Sequence, residues 1–233
     1  MTTSNQSRQR ILDRIRTATH STSGATLLAE EYAAVPRAYF RTGQLSPETR
    51  LQLMIERLRE YDAEVVECTP KSLPAAIAAQ LAASGKHTFV VPPGLPCEWF
   101  VPGFDWKIDD GLTTAEIELA EGVVTAAFCA IADSGTIVLH HSATEGRRVL
   151  TLLPDWHLCI LRTSQIVETL PEYIDRCQLP PRLVTTISGP SATADIEMTR
   201  IKGVHGPRFL HVIIVRDQNT DQGANLGSSP TLQ

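Results

Sequence analysis

The sequence predicts an α/β fold built on a mainly parallel sheet. Three observations carry this reading. Short apolar runs alternate with stretches of helical spacing along the chain. Where strand, helix and strand succeed one another, a right-handed crossover pairs the two strands in parallel. A chain of 233 residues, 42% hydrophobic and 20% charged, is long enough to bury the core that such a sheet needs.

Each element follows from local chemistry. Residues 4–19 set Ile11, Leu12 and Ile15 among arginines, one narrow apolar stripe on a helix. Residues 20–45 have weak periodicity and read as an arm. Within it, Val35-Pro36-Arg37-Ala38-Tyr39-Phe40-Arg41 mixes cations with aromatics, either as an arm packed on the body or as part of a ligand or partner surface. Ser46-Pro47 starts a helix, since Ser caps and Pro suits the first turn. Leu51, Met54, Ile55 and Leu58 continue it at helical spacing. A strand follows over 63–68, an alanine-rich helix over 72–84 stopped by Gly85, and a short strand over 87–91 broken by Pro92-Pro93-Gly94.

The middle is less regular. Residues 113–120 read as a short helix, and 124–132 and 136–140 as strands separated by a turn at Asp133-Ser134-Gly135. Residues 157–162 form a buried strand, and 164–177 contain a helix with a proline inside its span. A strand over 183–188 runs into Gly189-Pro190-Ser191, followed by a helix over 194–201. Phe209-Leu-His-Val-Ile-Ile-Val215 closes the sheet, and the polar, Gly/Ser/Asn-rich remainder reads as disordered. The expected organisation is a helix and arm over 1–45, an α/β domain over 46–216 and a tail over 217–233.

Composition narrows the function. With 21 Lys+Arg against 26 Asp+Glu, the net charge of -5 lacks the basic footprint of a nucleic-acid binder. No apolar run reaches the length that spans a bilayer. Residues 1–19 have no apolar core of a secretory signal. The five cysteines, at 68, 97, 129, 159 and 177, stand alone with no CxxC, so cluster and zinc spacing are absent and no metal is expected. Isolated thiols in odd number suit a reducing compartment, and the expected setting is the cytoplasm. GxGxxG, Walker and GxSxG motifs are also missing.

Ligands of parallel sheets sit beyond the carboxyl ends of the strands, which directs attention to strand-end loops. The first candidate is Ser188-Gly189-Pro190-Ser191-Ala192-Thr193-Ala194-Asp195-Ile196-Glu197. Free backbone N–H groups and hydroxyls there suit a carboxylate or phosphate, or else Thr193 or Asp195 merely caps a helix. The second is Ile131-Ala132-Asp133-Ser134-Gly135-Thr136, where Asp133 is a base, an acceptor for a ligand hydroxyl, or a turn residue. The third is Lys202-Gly203-Val204-His205-Gly206-Pro207-Arg208, where His205 suits proton transfer and the cations suit an anion, or which is a solvated turn. Arg147-Arg148 is a further anion clamp or a surface pair. His140 and His141 are adjacent on a strand, point to opposite faces and do not chelate one ion.

Four segments occur in order: Ile131-Ala-Asp-Ser-Gly-Thr-Ile-Val-Leu139, Arg147-Arg148-Val-Leu-Thr-Leu-Leu-Pro-Asp155, Ser188-Gly-Pro-Ser-Ala-Thr-Ala-Asp-Ile-Glu197 and Gly203-Val-His-Gly-Pro-Arg208. Together they resemble the lactate utilization protein C family, the stand-alone LUD-domain proteins, over roughly residues 63–215. One departure is Asp133, where the family motif usually carries Glu, one methylene longer. The Gly-Pro-Ser loop is therefore the stronger site candidate.

The resemblance implies a three-layer α/β/α fold, similar to the sugar-phosphate isomerase and CoA-transferase superfamily. It implies a part in oxidising L-lactate to pyruvate beside two iron–sulfur lactate utilization proteins. No cofactor is expected in this chain, and the iron–sulfur clusters would lie in those partners. On this expectation Ser134, Gly135, Thr136, Gly189, Pro190, Ser191, Thr193, Asp195, Gly206 and Arg208 hold a small carboxylate or phosphate-bearing ligand. Asp133 and His205 are the catalytic candidates. Two rival readings stand beside it: an independent enzyme resembling CoA transferases or folate cyclo-ligases, and a regulatory or structural subunit with a vestigial pocket.

Overall fold

The last apolar run of the chain lies in the interior of its main sheet. Phe209–Val215 is flanked in parallel by Glu64–Cys68 on one side and Trp156–Arg162 on the other. A strand covered on both faces must be apolar at consecutive positions, and Val212, Ile213, Ile214 and Val215 are all buried. The structure is a computed structural model that describes residues 2–18, 25–36, 38–177, 181–189 and 206–217. The helix expected over 194–201 and the tail beyond 217 lie outside the described residues.

The chain divides into two compact units, Met1–Phe40 and Arg41–Gln233. The first contains α1 (Thr2–Ala18) and α2 (Ala25–Ala34). The sequence reading predicted α1 but took the second stretch as loop. Its run of Ala, Leu and Glu has the intrinsic preference for helix, without the strict apolar spacing that was sought.

The second unit contains α3 (Pro47–Glu60), β1 (Glu64–Cys68), α4 (Leu73–Ser84), β2 (Thr88–Val91), β3 (Asp105–Ile108), α5 (Thr114–Glu118) and β4 (Gly122–Ala126). There follow β5 (Cys129–Ile131), β6 (Thr136–Leu139), β7 (Trp156–Arg162), β8 (Ile166–Val167), α6 (Leu170–Arg176), β9 (Thr185–Ile187) and β10 (Phe209–Val215). Six strands form a parallel sheet in the order β1-β10-β7-β4-β2-β3. Helices cover both faces, as the α/β/α class requires. On one face Leu51, Met54, Ile55 and Leu58 of α3 pack with Cys159, Leu161, Val212 and Ile214. On the other, Leu73, Ile77 and Leu81 of α4 pack with Leu158, Ile160, Ile213 and Val215. The strand alternation thus sends successive side chains to opposite helical layers. Full burial of each such residue contributes about 1.5–3 kcal/mol.

Helix ends follow the cap chemistry. Ser46 Oγ accepts the Thr49 N–H at 3.1 Å, with Pro47 in the first turn. Gly85 ends α4 at φ 66°, a conformation that favours glycine. The proline expected inside a helix is instead at the start of α6: Pro171 sits in its first turn behind Thr169, whose backbone N–H donates to Glu172 Oε2 at 3.0 Å.

The sequence reading joined residues 124–132 into one strand, but the structure divides them. β4 stays in the parallel sheet, while β5 enters a second sheet of order β8-β5-β6-β9. The division falls at Ala127 and Phe128. The Phe128 N–H turns to Val138 O at 3.0 Å, and Gln165 Nε2 donates to Ala127 O at 2.5 Å. β5 and β6 form an antiparallel hairpin, and β9 pairs antiparallel with β6. β3 was also not expected; it is a short, largely exposed edge strand joined only to β2.

Candidate functional site

The chain winds outward from β2 to β3, and in the opposite direction from β4 through β7 to β10. The two directions part between β2 and β4. Open α/β sheets leave a ligand crevice at such a point, outside the carboxyl ends of the strands. Residues 142–147 occupy that place. The Gly94 N–H, just past β2, donates to Ala143 O at 2.9 Å, and the Ala126 N–H, at the end of β4, donates to Thr144 O at 3.0 Å. A Cβ at Gly94 would stand 2.7 Å from Ala143 O, so only glycine lets the loop come this close.

The loop is organised by a buried carboxylate. Glu145 is 3% exposed. It accepts the backbone N–H of His140 and the Ser142 hydroxyl, the latter at 2.8 Å. His141 adopts a left-handed backbone, φ 57°, which is uncommon for a residue with a Cβ and marks a place where strain is held by its surroundings. Its Nδ1 lies 2.9 Å from Gly146 O, which only accepts, so the proton sits on Nδ1. Its Nε2 lies 2.8 Å from the Thr185 hydroxyl. His140 turns the other way. It stacks on Phe128 at 3.7 Å between centroids, and its Nε2 pairs with the Tyr173 hydroxyl at 2.9 Å. Burial holds His140 below the usual histidine range despite the nearby Glu145. Burial, with Cys177 close by, pushes the Tyr173 phenol up to about 12.

Beside this loop, Arg147 grips Asp109, the residue that follows β3. Nε donates to Oδ2 and Nη2 to Oδ1, both at 2.7 Å, and Nη2 also donates to Leu112 O. The Asp109 side chain is 4% exposed and that of Arg147 46%. The hydrogen bonds that Arg147 donates to Asp109 raise its pKa further, so the guanidinium stays charged. The paired geometry is of the strong, planar kind that only arginine makes.

Below the loop the sheet itself carries a buried polar seam. His157 Nε2 lies 2.8 Å from Thr125 Oγ1, and His157 Nδ1 has no partner. A bare lone pair costs less here than an unsatisfied N–H, so the proton belongs on Nε2. Complete burial lowers the His157 pKa to about 4. Burial also raises the neighbouring Cys159 thiol to about 12, although the Thr125 hydroxyl acts on it in the opposite sense.

Of the residues singled out from sequence, Arg147 lies in this cluster, whereas the three candidate loops lie elsewhere. Tyr61, just ahead of β1, donates to Ser134 O at 3.1 Å, which puts the β5–β6 turn at the amino end of the parallel sheet. Ser134 Oγ and Thr136 Oγ1 are 2.7 Å apart, and Thr136 donates to Ser188 Oγ at 2.8 Å. Gly135 and Gly189, at φ 62° each, flank the Tyr61 ring; a Cβ on either would stand 3.1 Å from it. The second and first candidate loops therefore do meet, around a tyrosine that the sequence reading passed over. They meet at the end of the sheet opposite to the one expected. Asp133 is exposed, and its backbone N–H donates to Glu168 O at 3.0 Å.

Gly206 and Arg208 also lie at the amino end. Arg208 precedes β10 and clamps Asp155, which precedes β7, through two bonds of 2.7 Å. This pair holds Asp155 below the usual carboxylate range. Pro190, Ser191, Thr193, Asp195 and His205 lie outside the described residues. His141 is weighed from sequence only as a metal ligand, and Glu145, Thr185 and Asp109 are not singled out there. The polar run from His140 to Arg148 is the signal for Glu145, whereas Asp109 and Thr185 join the cluster only through the topology.

Among the described residues, no group of three or more His, Cys, Asp or Glu side chains is placed to hold a metal ion. No helix among them is long and apolar enough to cross a membrane.

Comparison with known proteins gives a consistent picture. Residues 51–215 match the LUD domain family, a span that contains every described residue of both loop clusters. The chain is 41% identical over 164 residues to Lactate utilization protein C of Deinococcus radiodurans, covering 69% of this chain and 76% of that protein. It is 30% identical over 197 residues to Lactate utilization protein C of Geobacillus thermodenitrificans, covering 74% and 81% respectively. A crystal structure of a DUF162 family protein from Deinococcus radiodurans superimposes with a TM-score of 0.65 at 36% identity, covering 74% of this chain and 99% of that one.

Proposed function

The chain belongs to the LUD domain family, and from that premise we propose that it serves lactate utilization as the subunit without iron–sulfur clusters in an L-lactate-oxidising assembly. The observation that carries this reading is the match to Lactate utilization protein C of Deinococcus radiodurans, 41% identity over 164 residues. In this reading the chain contributes a carboxylate-binding or assembly domain, and two iron–sulfur proteins carry the electrons from lactate as it becomes pyruvate. Its own five cysteines stand singly in the sequence, without the spacing that holds a cluster. The loop that holds Glu145 and Arg147 lies at the carboxyl ends of β2 and β4, the part of an open α/β sheet where ligands are bound.

The test is growth of a clean deletion strain on L-lactate as sole carbon source, with the gene restored in parallel. The expected result is failure of growth that restoration reverses. Normal growth of a deletion strain that has no other lactate-oxidising route would overturn the proposal. Co-purification with two cluster-bearing proteins, read by their visible absorbance, tests the assembly separately.

A further inference from the structure

We infer that residues 41–45 are a latch, closed by the carboxylates of Glu168 and Glu172, that opens as a unit without unfolding the sheet and so sets the length of the tether that carries the N-terminal helices. The Gly43 N–H donates to Glu172 Oε1 at 3.0 Å, and the Leu45 N–H donates to Glu168 Oε2 at 2.6 Å. The acceptors stand 129 and 123 residues further along the chain. Hydrogen bonds from backbone N–H groups to ionised carboxylates are among the stronger ones in a protein. Arg41 also pairs with Asp175 at 3.0 Å, but both side chains are more than half exposed, so this pair contributes little.

The acceptors are set before the strap reaches them. Glu172 Oε2 takes the N–H groups of Glu168 and Thr169 at 2.7 and 3.0 Å, which fixes the carboxylate and leaves Oε1 to Gly43. Burial pushes the Glu172 pKa up, but the N–H groups of Gly43, Thr169 and Glu168, with Arg50 nearby, hold it below the usual carboxylate range, so the group stays charged. Position 43 must be glycine for the latch to shut. A Cβ there would run into the Cβ and the carboxylate of Glu168.

Little else holds the strap. Arg41, Thr42 and Gln44 are exposed, and only Gly43 and Leu45 are partly covered. A segment held by a few polar bonds and little apolar contact opens at a lower cost than the core does. The strap begins where the two compact units divide, and Ser46, directly after it, caps α3. When the strap lifts, α3 therefore stays in place on the sheet. The chain ahead of α3 then gains five free residues, each adding at most about 3.5 Å, in all roughly 17 Å of reach.

The test is hydrogen exchange of the full chain, read amide by amide by NMR, with trypsin cleavage after Arg41 as a second readout. In the unaltered chain, Gly43 and Leu45 should exchange more slowly than open-chain amides and faster than Val212 to Val215 of β10. Gly43→Ala should speed the exchange of Leu45 by about tenfold and leave β10 unchanged. Glu172→Gln, which acts from the other side of the contact, should speed Gly43 and Leu45 by about as much. Cleavage after Arg41 should rise in parallel in both variants, because the protease needs residues 42–45 free of the body. Strap exchange that is as fast as an open chain, as slow as β10, unchanged in either variant, or raised only together with that of β10 would overturn the inference.

Discussion

Thr136 Oγ1 donates to Ser188 Oγ at 2.8 Å, joining the start of β6 to the residue that follows β9. Thr136 in turn takes the Ser134 hydroxyl at 2.7 Å. Thr136 is 6% exposed, so its hydroxyl depends on these partners rather than on water. Each bond of this kind contributes about 1 kcal/mol. Thr136→Val and Ser188→Ala should each destabilise the fold by about that much, and a double-mutant cycle in urea should give coupling of about 0.5–1 kcal/mol. Coupling indistinguishable from zero would mean that the two hydroxyls do not meet in solution.

The Asp109–Arg147 pair is asymmetric, with the aspartate buried and the arginine half exposed. Removing the arginine leaves a charge without its partner inside the protein. Removing the aspartate leaves a cation that water can reach. Arg147→Gln should therefore cost about 2–4 kcal/mol and Asp109→Asn about 1 kcal/mol. Denaturant midpoints for the two variants decide this, and equal losses would contradict the burial difference.

His157 makes stability depend on pH. Its folded pKa of about 4 lies below the ordinary histidine value of 6.5, so the unfolded chain takes up a proton first as pH falls. Stability should be intact above pH 6.5 and decline steadily toward pH 4, by on the order of 3 kcal/mol over that window. Urea unfolding at pH 7 and pH 5 should show the loss, and His157→Phe should flatten it. A variant with the same pH dependence would assign the loss to other groups.

The thiols should separate by accessibility. Cys97 is exposed, while Cys129 and Cys159 are buried, with burial raising their pKa values to about 11 and about 12. Iodoacetamide under native conditions should modify Cys97 and leave Cys129 and Cys159 intact until denaturant is added. Peptide mass spectrometry reads the outcome, and early labelling of Cys159 would contradict its place in the sheet.

Local chemistry was legible in the sequence where the determinant is local. Ser46 and Pro47 announce α3, Gly85 ends α4, and the apolar run before Arg216 is β10. The division between β4 and β5 was not legible, because apolar residues continue through it. Gln165, far along the chain, redirects the backbone there. The site shows the same limit. Glycines and hydroxyls at 133–136 and 188–191 look like ligand loops, and the structure uses the described ones to seat Tyr61. The junction of Gly94 and Ala126 with residues 143 and 144 arises from the order in which strands assemble, which no short window of residues contains.

The position of β10 has a consequence for biosynthesis. Glu64 of β1 lies opposite His211, so among the described residues the first strand pairs only with the last. A nascent chain must carry β1 without this partner until residues 209–215 have been translated. Contacts of such long sequence separation fold slowly and leave strand edges open to wrong partners. A chain cut short before residue 209 would not simply lack an end. It would lack an interior strand of its sheet, and β1 would be cut off from β7 and the strands beyond it.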